Sequence, residues 1–164
     1  MKIMDSMKDT IAHIRLVRRY IIIIMRELDN RRKNHDRLKL KSPEKEIYDK
    51  YTPLLKNSTY GSEEYKSFLK GMKPALDHHY ANYRHHPEHF ENGVNDMNLV
   101  DVMEMLCDWC AASKRHANGN IYRSIDISCE RFQIDDQLKQ ILINTAHMLE
   151  EAERERDYLE DTTP

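Results

Sequence analysis

Asp77-His78-His79-Tyr80-Ala81-Asn82-Tyr83-Arg84-His85-His86-Pro87-Glu88-His89-Phe90 holds five of the chain's nine histidines within twelve residues. Neutral imidazole is the commonest protein metal ligand, and its unperturbed pKa lies near neutrality. A solvated helix face needs no such density; the competing reading is a polar segment or a pH-sensitive patch. A metal site also needs carboxylates, and two places supply them. His35-Asp36 is an adjacent pair at a helix junction. Both side chains can point at one cation if the backbone turns there. Lys39 follows three residues on and shares Asp36's face on a helix. Asp108 is flanked by Leu106, Trp109, Ala111 and Ala112, and carboxylates in apolar surroundings are usually paired or metal-bound. His13 stands at the edge of an early apolar stripe and gains meaning only from these others.

Helical periodicity positions most of these residues. Ile14, Val17, Ile21, Ile24 and Leu28 step by three and four, which predicts a helix over 7–30. Ser42-Pro43-Glu44 reads as a helix start, with serine at the N-cap and proline at N1. A helix over 43–56 follows, bent or ended by Pro53. A turn over 57–61 leads to Ser62, which caps a helix with Glu63 and Glu64 in its first turn, where the helix dipole favours them. Its stripe runs Tyr65, Phe68, Leu69, Met72, Ala75, Leu76, His79, Tyr80, Tyr83. His79 thus falls on the core-facing side, where an unpaired polar ring is costly. His86 lies two turns further on that face, and Pro87 disfavours helix at His86. Asn98 with Asp101 forms a capping-box-like start for a helix with Leu99, Val102, Met103, Leu106 and Cys110 inward. Lys114, Arg115 and His116 close it. Residues 117–133, with Asn118-Gly119, read as loop. Asp135 opens a last helix through Leu138, Ile141, Leu142, Thr145, Leu149 and Ala152, and the charged end of the chain reads as frayed.

The chain has 164 residues, four glycines, five prolines and 33% charged residues. That suits an all-α, single compact bundle over 1–155 with a charged tail at 156–164. A net charge of −2 carries no strong nucleic-acid signal, although 15–41 is basic and 88–108 acidic. Arg31-Arg32-Lys33 reads first as a solvated helix end. Ile21-Ile22-Ile23-Ile24-Met25 is too short to span a bilayer, so no membrane is expected. Cys107, Cys110 and Cys129 read as buried free thiols in a cytoplasmic protein; a single CxxC on a helix supports neither zinc nor redox chemistry.

In chain order the candidates run His13, His35-Asp36, His79, His85-His86, Asp108. That order resembles the HD superfamily of metal-dependent phosphohydrolases, helical bundles with an early His, a His-Asp doublet and a distal Asp. His35-Asp36-Arg37-Leu38-Lys39 is similar to the doublet of HD-GYP phosphodiesterases, and 106–112 to their distal Asp segment. No GYP triplet is present, so cyclic di-GMP specificity is not implied. Most of the chain also resembles a family of small phage and bacterial proteins with an Asn-x-x-His-His-Pro-Glu-His signature, here Asn82 to His89, which implies a bacterial cell or an infected host.

The resemblance implies two divalent transition-metal ions (Mn, Fe, Co, Ni or Zn) sharing a bridging hydroxide. Asp36 would bridge them. His13, His35 and Asp108 would complete one shell, and His79 with His85 or His86 the other. Lys39, Asn82, Arg84 and Arg115 would meet a small phosphorylated substrate, such as a nucleotide, cyclic nucleotide or other phosphate ester. Lys39 and Glu88 are the catalytic candidates, with Glu44 as an alternative to Glu88 for proton transfer or outer support. His78 could be a ligand or an outer partner. A di-iron oxygenase on the same ligands and a non-catalytic metal- or nucleotide-binding protein are the alternatives. A homo-oligomer is compatible with the sequence.

Overall fold

The computed structural model describes residues 6–58, 62–115 and 119–161, the last five of these by backbone only. His116, Asn118 and most of the turn expected at 57–61 lie outside the described residues. Among the described residues six α-helices follow one another: α1 Met7–Asn34, α2 Glu44–Asn57, α3 Glu63–Asn82, α4 Leu99–Ser113, α5 Ile121–Phe132 and α6 Asp136–Asp161. Short 3₁₀ turns at Arg37–Leu40, Pro87–His89 and Gly93–Asp96 join them. The fold is all-α, with no strand among the described residues.

The apolar core lies between α4, α5 and α6. Val102, Met105 and Leu106 meet Ile121, Ile125 and Cys129 from α5, and Leu142 and Ala146 from α6. The stretch 117–133 reads as loop in the sequence, and the structure corrects this with α5. Asn120 caps it by accepting from Arg123 N at 2.9 Å. Ile121, Ile125 and Cys129 then recur every four residues and are all buried, and Gln133 ends it in the left-handed conformation at φ 53°. The cap and the stripe were both legible, but the stripe is only three residues long.

α2 and α3 form an antiparallel arm that carries two site residues. A methyl group on Gly71 would sit 2.3 Å from the Tyr51 hydroxyl, so the side chain of one helix lies directly on the backbone of the other. Met72, Ala75 and His79 form the buried side of α3. Pro43 rather than Ser42 is the N-cap of α2, and Pro53 lies inside α2, which continues to Asn57. The caps at Ser62 and Asn98 form as expected, Ser62 accepting from Tyr65 N at 3.1 Å and Asn98 exchanging bonds with Asp101 in a capping box. Cys107 is exposed rather than buried, as is Ile141. α6 remains helical to Asp161, well into the segment read as a frayed tail.

α1 differs from the rest. It buries none of its residues and meets the body mainly at its C-terminal end, where Arg31 Nη2 donates to Asp101 Oδ1 at 3.0 Å. Asp101 is fully buried and also accepts two bonds from Arg84. One carboxylate therefore ties together the end of α1, the histidine-rich loop and the start of α4.

Candidate metal centre

Four segments converge on one point. α1 ends at Asn34, and Asp36 adopts φ 55°, a left-handed conformation that costs an L-residue about 1–2 kcal/mol and that aspartate tolerates better than most. This sharp turn sends His35 and Asp36 to the same interior point. Tyr83 holds the turn, its hydroxyl accepting from Leu38 N at 2.7 Å. α3 supplies His79, the loop after it supplies His85 and His86, and α4 supplies Asp108.

The two oxygens of Asp36 face different donor sets. Oδ1 lies 3.2 Å from His79 Nε2 and 3.6 Å from His85 Nε2, and His79 Nε2 is 3.0 Å from His86 Nε2. Oδ2 lies 3.7 Å from His35 Nε2, which is itself 3.6 Å from Asp108 Oδ1. Both sets, Asp36-His79-His85-His86 and His35-Asp36-Asp108, are close enough to share an ion. Donors bound to one ion at about 2.1 Å lie about 3.0–3.5 Å apart, so the spacing fits.

Polar atoms left without partners point the same way. His85 is 1% exposed; its Nδ1 has only Glu104 Oε1, 3.2 Å away and off the ideal hydrogen-bonding direction, and its Nε2 has no hydrogen-bond partner. Asp36 Oδ1 has none either, because His79 approaches it off the hydrogen-bonding direction. A buried imidazole nitrogen left without a partner is costly, and a cation at Nε2 would remove much of that cost. A third grouping, His35, His85 and Glu104, reads differently. Glu104 Oε1 meets the Nδ1 atoms, at 3.0 Å from His35 and 3.2 Å from His85, on the far side of each ring from Asp36. It orients the two rings rather than adding a third ion site. Arg31 Nη1 holds its other oxygen at 3.0 Å.

Glu44 plays the same part on the opposite wall. It is fully buried, and it meets His79 Nδ1 at 2.9 Å and His78 Nδ1 at 2.8 Å. His78 is thus engaged by Glu44, and its ring belongs to neither donor set.

The charges agree with this geometry. Burial pushes Asp36 up, but His79 and Lys39 beside it hold it well below the usual carboxylate range. Burial likewise opposes, and His35 and His85 outweigh it, at Glu104. Asp108 is also lowered, by His35, against burial. Asp108 and Glu104 raise His35 to about 10. Burial, with His85 and His79 nearby, lowers His86 to about 3.

Of the residues singled out from the sequence, His35, Asp36, His79, His85, His86 and Asp108 come together. His13 does not join them. It is exposed on α1, 22 residues before His35, about 33 Å away at about 1.5 Å per helical residue. Lys39 is at the site, its Nζ 2.5 Å from Asp36 Oδ2. Arg84 is committed to Asp101, through Nε at 3.1 Å and Nη2 at 2.9 Å. Asn82 turns back to the His78 carbonyl at 2.7 Å. Glu88 accepts from Arg131 at 2.8 Å. Arg115 is exposed just beyond the end of α4. Glu104 went unassigned in the sequence, although it lies one turn before Asp108 on the same helix face, a spacing that marks neighbours.

A groove of about 640 Å³ opens beside His35, Glu104 and Asp108, walled by Met25, Leu28, Met103 and Ala111. Fold and site together define a helical protein with a carboxylate–histidine cluster able to hold metal. The chain belongs to a family of unknown function, DUF5662, whose pattern matches residues 2–151. No curated protein and no solved structure matches it.

Proposed function

We propose that this chain is a metal-dependent phosphohydrolase of HD type. It would hydrolyse a nucleotide, cyclic nucleotide or other small phosphate ester. The observation that carries the reading is Asp36, one carboxylate whose two oxygens face two separate donor sets. Such sharing suits two divalent ions a few ångströms apart, and a pair of that kind clamps a phosphate and supplies Lewis acidity and an activated water.

The His35-Asp36-Asp108 set offers three protein donors, which leaves room for substrate or water, as catalytic sites require. Its surroundings open to the groove, whose apolar walls suit a base or another flat group. Lys39 lies beside Asp36 and would neutralise phosphate oxygens. Glu104 and Glu44 would keep the imidazoles aimed. The HD likeness rests on the His35-Asp36 doublet and the distal Asp108; His13 on its own chain does not contribute. Arg84 and Glu88 are tied to side chains outside the two donor sets, whereas Lys39 is paired with Asp36 at the cluster itself, so Lys39 is the principal candidate for contact with substrate.

The test begins with elemental analysis of protein purified without chelator, followed by assay of bis(p-nitrophenyl) phosphate and a nucleotide panel. About two equivalents of metal per chain with phosphate release supports the reading, two being the number that the donor sets on either side of Asp36 would hold. Asp108→Ala should then abolish turnover while far-UV circular dichroism stays unchanged. Three imidazoles on one ion also suit iron. Iron with a visible absorption band and no phosphate release would replace the hydrolase with a di-iron oxygenase. No metal, even after reconstitution, would leave a non-catalytic binding protein.

A further inference from the structure

The N-terminal three-quarters of α1 is bare. Every residue from Met7 to Glu27 is exposed, a rod about 30 Å long at about 1.5 Å per residue. Ten apolar side chains between Ile11 and Met25 are each 41–61% exposed. At about 90 Å² apiece they present roughly 900 Å² of apolar surface, more than the few hundred Å² that a monomer rarely exceeds. Ile21-Ile22-Ile23-Ile24 is also a poor helix former outside a packed setting, because β-branched side chains lose rotamer freedom and an unsupported helix of this length is marginal in water. Among the described residues, nothing in the chain covers this surface.

We propose that a second copy of this chain covers it, the two α1 helices packing antiparallel. The spacing favours a helix as the occupant. Ile14, Val17, Ile21, Ile24 and Leu28 alternate steps of three and four, the seam of a two-stranded coiled coil. The seam side chains Ile14, Val17, Ile21 and Ile24 with flanking Tyr20 and Met25 offer about 540 Å² to one partner, the size of a small interface rather than the roughly 800 Å² per partner of a standard one. The charges select the orientation. From Met7 to Arg26, Lys8, Arg15, Arg18, Arg19 and Arg26 face only Asp9, and none of those four arginines has an ion pair among the described residues. A parallel pair would set two basic halves side by side. An antiparallel pair lays each basic half along the partner's C-terminal end, where the carboxylates of Glu27, Asp29, Asp101 and Glu104 balance Arg31, Arg32, Lys33 and Arg84. That end borders the groove beside Asp108 and Glu104, so the second copy would also roof the groove. The inference rests on α1 alone and stands whether or not the cluster binds metal.

The test is sedimentation analysis of the full chain at micromolar concentration, beside the double variant Ile21→Glu/Ile24→Glu. The expected result is twice the 19.6 kDa chain mass for the parent and a single-chain mass for the variant, which still unfolds in a cooperative thermal transition. A monomeric parent would overturn the proposal. So would a variant that stays dimeric, because the interface would then lie elsewhere. A monomeric parent that floats with phosphatidylserine vesicles would instead make the stripe a membrane-surface helix. For orientation, Thr10→Cys in a Cys107→Ser background should not form an inter-chain disulfide. Efficient cross-linking there would overturn the antiparallel arrangement.

Discussion

Glu104→Gln probes how the cluster is held. Glu104 Oε1 meets His35 and His85, one ring from each donor set, at 3.0 and 3.2 Å, and Oε2 accepts from Arg31. Glutamine keeps the size and can still accept from Arg31 through its carbonyl oxygen, so the junction between α1 and α4 survives. What is lost is the negative charge behind the two imidazoles. Removing such an outer partner of a ligating histidine typically weakens metal binding about 10–100-fold, which is about 1.4–2.7 kcal/mol per ion. Because one carboxylate serves both rings, both affinities should fall. Part of the loss is offset at neutral pH. Glu104 helps raise His35 to about 10, and without it less work is needed to remove the proton that competes with metal. The deficit should therefore grow from neutral pH toward the alkaline side. The assay is competition with a chromophoric chelator across that range, with thermal melting as the control for folding. A folded variant whose two affinities stay within about threefold of the parent, well under the range expected, would refute the argument that Glu104 aims the rings.

Metal binding near pH 8 should release about one proton from His35, whose pKa is raised to about 10; calorimetry in buffers of different ionisation enthalpy reads this, and zero release contradicts it. For the metal-free protein, the shifts of His35 and His86 set opposite edges. His35 is raised, so its contribution is complete below the unfolded value of about 6.5 and is lost as pH rises toward about 10. His86 is lowered to about 3, so its contribution is present above about 6.5 and is lost as pH falls toward 3. Asp36, Asp108 and Glu104 are lowered too and add to the loss below about pH 4, the ordinary carboxylate range. The melting temperature should peak near pH 6.5 by this reasoning, and a plateau from pH 4 to 9 would contradict it. Ile125→Ala, at a fully buried position between α4 and α6, should cost about 2–5 kcal/mol in urea unfolding; a cost below about 1 kcal/mol would mean that this core is looser than described.

The sequence alone determined the helices with long stripes or strong caps. Hydrophobic spacing is a local property, and the caps at Ser62 and Asn98 need only four consecutive residues to act. It also identified the six side chains that converge, because imidazoles on an apolar face and carboxylates among apolar neighbours are conspicuous in one dimension. It did not separate ligands from the groups that aim them. Glu104 and Asp108 share a helix, a face and a charge, and only the approach of Nδ1 to one and Nε2 to the other divides their roles. His13 fits the order of a ligand set, yet order along a chain says nothing of distance, and a straight helix carries it about 33 Å from His35. α1 itself carries the same lesson. Its apolar stripe reads as core in the sequence, and the tertiary structure leaves it exposed, because the body of the protein reaches only its last two turns.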